Sequence, residues 1–272
     1  MTVPVEAATP TPSPPLKWAG GKRWLVPRLA LRWSGHAQRR LVEPFVGGLA
    51  VVLGLSPKKA LLNDHNPHLI SFYRWLQHGL DPTSVRVNLV NARPVFNANR
   101  DRFNFLIANG KADTTEAAVL FYYLNRTAFN GLCRFNSRGY FNVPFGAYKT
   151  IRYKDARDFA IYKEALAGYD FRCDDFERLS IRAGDFIYAD PPYDVQFTSF
   201  TAGGFSWGDQ QRLARWLAGQ RVPVIASNQA TRRILNLYKD LGFRVRTLAA
   251  PRRISCDGNR EPAREMLATL NL

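Results

Sequence analysis

Short apolar runs, each stopped by a turn residue, alternate with longer stretches of helical period along most of the 272-residue chain. Leu41-Val42-Glu43, Ala60-Leu61-Leu62-Asn63, Tyr169-Asp170-Phe171-Arg172-Cys173, Ile187-Tyr188-Ala189 and Val222-Pro223-Val224-Ile225-Ala226-Ser227-Asn228 read as strands, as do residues 243–248 and 265–270. Residues 24–33, 206–217 and 231–241 have the spacing of amphipathic helices. From residue 66 to about 124 the pattern is mostly helical. Leu69-Ile70, Phe72-Tyr73 and Leu76 recur at i, i+3, i+4, and so do Ala117-Ala118, Leu120-Phe121 and Leu124, which assigns the rings among them to a core. Residues 91–104 interrupt this pattern with a proline, asparagines and arginines. Strands alternating with helices on both sides of a helical insertion predict an α/β sheet interrupted once.

The chemistry gathers where strands end. After Ile187-Tyr188-Ala189 come Asp190-Pro191-Pro192-Tyr193, and the prolines lack the donors a central strand needs, so the chain leaves the sheet there. A carboxylate, a turned-out carbonyl and a ring on one rigid corner suit a flat base with an exocyclic amine: the oxygens accept two N–H groups and the ring stacks. The plain alternative is a strand-terminating turn with a capping acid. Leu41 to Leu53 contains Pro44-Phe45-Val46-Gly47-Gly48, a strand, glycine turn and helix of the kind that opens a nucleotide-binding βαβ unit, with Phe45 and Gly47 bordering the ligand. The full dinucleotide glycine pattern is missing, which counts against NAD. Asp64 follows the second strand where an acid can accept ribose hydroxyls, and it could equally cap the next helix. Leu16-Lys17-Trp18-Ala19-Gly20-Gly21-Lys22 reads either as a glycine loop approached by an anionic ligand or as an ordinary turn into a helix.

Residues 125–146 differ in composition from their surroundings. Two aromatic-rich strands around Ser137-Arg138-Gly139 predict a hairpin carrying Arg126, Arg134 and Arg138 among asparagines and rings, the side chains of base-edge, phosphate and intercalating contacts. The charge agrees: 38 basic against 22 acidic residues leave +16, far beyond what solubility needs, so a polyanion is the expected partner. No apolar run approaches the roughly 20 residues of a membrane span, which places nucleic acid before a membrane. Three cysteines, Cys133, Cys173 and Cys256, offer neither a disulfide framework nor a paired metal site and suit a reducing compartment. Residues 1–15, rich in Pro, Thr and Ala, read as a flexible tail.

Asp190-Pro191-Pro192-Tyr193 resembles motif IV of the amino-methyltransferases. With Lys17 to Lys22, Pro44 to Gly48 and the hairpin from Asn130-Gly131-Leu132-Cys133-Arg134 to Phe141-Asn142-Val143-Pro144-Phe145-Gly146, the chain is similar to the Dam-like D12 class of DNA adenine-N6 methyltransferases from Leu16 almost to its end. The resemblance implies a Rossmann-like S-adenosylmethionine-dependent sheet formed by residues 16–66 and 150–272. It also implies a mostly helical target-recognition domain, residues 67–149, carrying the hairpin. It implies that Trp18, Lys22, Phe45, Gly47, Asp64, Asp175, Phe176 and Asp190 border S-adenosylmethionine. Lys17, Arg126, Phe129, Asn130, Leu132, Arg134, Asn142 and Pro144 would sit at double-stranded DNA, and Asp190, Pro191, Pro192 and Tyr193 at the flipped adenine. The implied site is GATC, the setting the cytoplasm of a bacterium or phage-infected cell, with no metal and no obligate protein partner. Leu49, Phe129 with a ring where tyrosine is frequent, and Ala147 where many members are basic are this chain's departures. The competing expectations are a silent DNA-binding relative, or an amino-methyltransferase acting on cytosine N4, RNA or a glutamine side chain.

Overall fold

The computed structural model describes residues 12–194, 204–250 and 263–272. The elements are α1 (Val26–Trp33), β1 (Arg40–Glu43), α2 (Ala50–Leu55), β2 (Ala60–Asn63), α3 (Pro67–Gln77), α4 (Arg93–Ala108), α5 (Thr115–Thr127), α6 (Ala156–Ala165), β3 (Tyr169–Arg172), β4 (Asp185–Ala189), α7 (Trp207–Ala218), β5 (Val224–Gln229), α8 (Arg232–Asp240), β6 (Arg244–Ala250) and β7 (Ala263–Leu270). Seven strands form one sheet in the order β3-β2-β1-β4-β5-β7-β6. Those from β3 to β5 are parallel, and β7 runs antiparallel to both β5 and β6. This is the α/β, Rossmann-like sheet expected from the alternation of strands and helices.

Successive strand residues bury opposite faces. Leu41, Leu62, Phe186 and Tyr188 join the cluster containing Leu29 and Trp33 of α1, Phe72 of α3 and Phe121 of α5. Val42, Leu61, Ile187 and Ala189 join Leu213 and Leu217 of α7 and Ile234 and Tyr238 of α8. A sheet covered on both faces needs uninterrupted apolar strands, which is why these runs lack alternation. The whole helical insertion, α3 to α6, lies between β2 and β3, and its rings continue the first cluster: Phe72 and Tyr122 stack at 6.1 Å. Residues 117–125 of α5 are all buried, so this helix has no polar face.

Three expectations change. The proline near residue 94 does not break a helix; it starts α4, at a position where the missing N–H is no loss. The irregular stretch lies earlier, between α3 and α4. The hairpin is not a pair of strands: its backbone closes only through the isolated bridges Ala128 to Phe145 and Phe135 to Phe141. Asn104 of α4 takes both the N–H and the carbonyl of Phe141, at 2.8 and 3.1 Å, on the side away from Phe135, while Asn136 N–H donates to the Tyr140 carbonyl and Asn142 N–H to the Arg134 carbonyl across the hairpin. Within the basic stretch after the hairpin, α6 forms behind an Asp155–Asp158 capping box. Ser13 and Pro15 lie against this part of the fold, with Ser13 bonded to Lys154 and Tyr162 and Pro15 buried. Residues 1–11 of the Pro-rich start and the basic loop 251–260 lie outside the described residues.

Candidate active site and nucleic-acid interface

The strand order reverses between β1 and β4, and the carboxyl ends of these parallel strands form the crevice in which such sheets bind ligands. Asn63, fully buried at the end of β2, joins the strand ends by donating to the carbonyls of Pro44 and Asp174 and accepting from Asp174 N–H. In the glycine turn after β1, Gly47 N–H donates to Asp64 Oδ2 at 3.1 Å and Asn66 N–H to Oδ1 at 3.0 Å. Of the two readings of Asp64, the helix-cap role falls to another residue: Asn66 Oδ1 caps α3 through His68 and Leu69 N–H. Trp18 lies flat on this turn, so that a Cβ added to Gly47 or Gly48 would meet its side chain at 2.8 Å. Tyr73 holds the turn from below by donating to the Gly47 carbonyl.

Beside it, Asp190 leaves β4. Its Oδ2 is 2.8 Å from the buried Lys22 ammonium and its Oδ1 accepts from Ser227 Oγ at 2.9 Å. Ser227 in turn meets the Tyr188 hydroxyl at 2.8 Å. The Pro192 carbonyl takes a bond from Gln210 Nε2, and Gln210 Oε1 takes one from Asn228, so two buried amides fix the proline turn. Tyr193 donates its hydroxyl to Glu265 at 2.5 Å, and Lys22 Nζ lies 4.8 Å from the Tyr193 ring centre. Burial, and then the negative charges of Asp190 and Glu265, raise the Tyr193 phenol far above its ordinary range, so it acts as a donor rather than an acid. Lys22, Asp190 and Tyr193, separate in the chain, thus form one corner. Pro191 is buried at its base.

Asp175 and Phe176 sit on the other side of the glycine turn. Arg212 of α7 grips both Asp175 oxygens, at 3.1 and 2.8 Å, and covers the Phe176 ring at 4.5 Å. Burial alone would lift the Asp175 carboxyl, but the Arg212 bonds hold it below its usual range. Phe45, Phe176 and Phe205 form a ring cluster with centres 5.6 to 6.5 Å apart.

The residues expected at DNA lie around the end of α5 and the hairpin. Asn125, fully buried, accepts Lys17 N–H at 2.9 Å and donates to the carbonyls of Lys17 and Gly131. Lys17 Nζ donates to the Arg126 carbonyl and lies 3.7 Å above the Tyr148 ring. Phe129 is a large apolar side chain left 49% exposed. Asn130 beside it adopts a left-handed φ of 52°, and Leu132 is half-buried. Arg134, Asn142 and Pro144 are exposed, with Arg134 Nε donating to Asn142 Oδ1 at 2.9 Å. Arg126 instead turns inward and donates to the Arg152 carbonyl.

Several residues of this site carry no motif. Ser227-Asn228, a polar pair ending an apolar strand, was a visible signal; Glu265, Gln210, Arg212 and Asn125 come from distant elements and had none. Among the described residues no helix is long and apolar enough to cross a membrane.

Comparison with known proteins bears on this arrangement. A DNA N-6-adenine-methyltransferase of Escherichia phage P1 is 36% identical over 93% of this chain, which spans 35% of that longer protein. The retron Ec67 DNA adenine methylase of Escherichia coli is 34% identical over 93% of this chain and 90% of its own. The DNA adenine methylase of Escherichia coli K12 is 34% identical over 93% of each. A family model described as D12 class N6 adenine-specific DNA methyltransferase matches residues 18–254, from the tryptophan on the glycine turn to beyond the last parallel strand. The chain belongs to the D12 class of N6 adenine-specific DNA methyltransferases.

Proposed function

We propose that the enzyme moves the methyl group of S-adenosylmethionine to N6 of a flipped adenine in double-stranded DNA, with GATC as its site. The observation that carries this reading is the Asp190 corner at the reversal of strand order, braced by Lys22 and Ser227. The residues of the neighbouring turn fit the methyl donor. Each Asp64 oxygen takes one backbone N–H and has a further lone pair for a ribose hydroxyl, while the Trp18 side chain, packed where Gly47 and Gly48 have no Cβ, offers the donor an apolar wall. Trp18, Lys22, Phe45, Gly47, Asp64, Asp175 and Phe176 would hold it. The donor supplies an activated methyl on a sulfonium, so no covalent enzyme intermediate is needed.

The protein's share is positioning. An adenine inside a duplex must leave the stack, at about a few kcal/mol, which phosphate contacts and a ring inserted in its place offset. Phe129, exposed at the tip of the recognition surface, is that ring, with Lys17, Asn130, Leu132, Arg134, Asn142 and Pro144 around it at the duplex. Arg126 adds charge behind them. Asp190 and the Pro191 carbonyl receive the amine N–H groups, and the Tyr193 ring takes the base plane, so the nitrogen lone pair faces the methyl carbon. When bound, S-adenosylmethionine would supply its methyl group to N6 and keep the S–C electron pair on sulfur, and N6 would give up a proton to solvent.

Sequencing that reports modified adenines, on DNA from methylation-deficient cells expressing the chain or its Asp190→Ala variant, tests this directly. Methyladenine confined to GATC and absent with the variant is expected. Marks at another motif would reject GATC alone; marks that persist with the variant would reject the role of Asp190. Purified Asp190→Ala should bind DNA within about threefold of wild type, because the residue faces the crevice rather than the phosphates.

A further inference from the structure

Glu265 stands on β7, opposite Gln229 of β5, and enters the corner from the side away from the glycine turn. Its side chain is 9% exposed. Oε1 accepts the Tyr193 hydroxyl and lies 4.0 Å from Lys22 Nζ, while Oε2 is buried without a hydrogen-bond partner among the described residues. Two carboxylates, Asp190 and Glu265, therefore share the Lys22 ammonium. Removing a carboxylate from water costs several kcal/mol, and its neighbours on β7, Met266 and Ala268, fill the core without that cost. Burial raises the Glu265 carboxyl against the opposing pull of Lys22 and of the Tyr193 bond. A strand position that needed only to pack would carry no such group.

What the carboxylate reaches is the far end of the Tyr193 ring. Turning about the first side-chain torsion swings the whole tyrosine ring and its hydroxyl, so backbone attachment alone leaves the position of the ring loose. The bond to Glu265 fixes the hydroxyl, which lies on the long axis of the ring, and so stops that swing. We propose that Glu265 is a positioning residue for methyl transfer, pinning the Tyr193 hydroxyl so that the ring keeps its place beside the target base. The proposal rests on the reading of Asp190 and Tyr193 as the groups that receive the base. Glu265 touches no reacting atom and acts through Tyr193.

The test compares wild type, Asp190→Ala, Glu265→Ala, Glu265→Gln, Tyr193→Phe and the Glu265→Ala/Tyr193→Phe pair. Single-turnover methyl transfer from labelled S-adenosylmethionine to unmethylated duplex DNA is measured beside DNA affinity and thermal unfolding. Glu265→Ala is expected to slow transfer by roughly ten- to hundredfold, the scale on which small displacements of a reacting group act, with DNA affinity unchanged. Glu265→Gln keeps an acceptor for the hydroxyl and should stay within about threefold of wild type. Tyr193→Phe should repeat the alanine loss, and the pair should lose no more than either single change. A Glu265→Ala rate equal to wild type overturns the proposal. So do losses that multiply in the pair, or losses that Gln does not restore. If Glu265→Ala does not fold, the Gln and Phe variants decide: both fast, or both slow, overturns it. Equal transfer by wild type and Asp190→Ala would instead overturn the corner reading itself.

Discussion

Lys17 owes its behaviour to three neighbours. Asn125 holds its backbone, the Arg126 carbonyl accepts its ammonium, and the Tyr148 ring lies against it. Burial, helped by the positive charge of Arg126, lowers its pKa to about 8. The free protein therefore carries this charge below that pH and loses it above. With Lys17 at the DNA as a cation, site-specific affinity weakens as pH rises through about 8, and Lys17→Met, weaker below that pH and converging with wild type above it, lacks that pH dependence. Fluorescence anisotropy with a GATC duplex across this range, beside a duplex without the site, checks the expectation. A wild-type curve parallel to the variant's would refute it. At this scale the motif residues were legible because the chemistry needs particular side chains at close spacing: Asp190 to Tyr193 lie on four successive positions. Glu265 was not, since a glutamate starting an apolar strand looks like any strand end until the fold brings it to Tyr193.

Between elements, the decisive joint is Asn125. One amide on α5 takes the backbone of the N-terminal segment and the carbonyl of Gly131, and thereby ties the segment carrying Lys17 and Trp18 to the start of the hairpin. Gly131 admits this approach; a Cβ there would stand 2.5 Å from Lys17. Asn125→Ala should cost about 1–3 kcal/mol by leaving buried backbone groups unpaired, measured by urea unfolding, and a change within a few tenths would show that water replaces the amide. Helix ends read well from sequence where capping is local, as with Ser206 and Asp209 at the start of α7. The hairpin read poorly: its cross-strand bonds flank two isolated bridges and extend no further, and Asn104 of another helix holds its outer edge at Phe141.

On the scale of the whole molecule, the charge of +16 outlasts the ion pairs. A surface of this kind binds DNA largely by releasing counterions. The logarithm of affinity should fall linearly with the logarithm of salt, with a slope of about −0.9 for each phosphate neutralised. Salt titrations on duplexes with and without the site measure this, and a flat dependence would remove electrostatics as the main source of affinity. Arg134→Ala separates two roles: relaxed discrimination at a constant slope marks a base contact, whereas a slope reduced by about one marks a phosphate contact.

The sequence by itself determined the alternating α/β order, the polyanionic partner class and the Asp190-Pro191-Pro192-Tyr193 corner, because each depends on composition or on residues a few positions apart. It also marked the glycine turn and the exposed arginines and rings near residues 126–145. Tertiary structure alone decided which charges balance there. Lys22 meets Asp190 across the sheet, Arg212 takes Asp175 from α7, and Glu265 reaches Tyr193 from an antiparallel strand inserted late in the chain. Such pairings are set by strand order and helix packing, which bring together residues whose separation along the chain has no period to read.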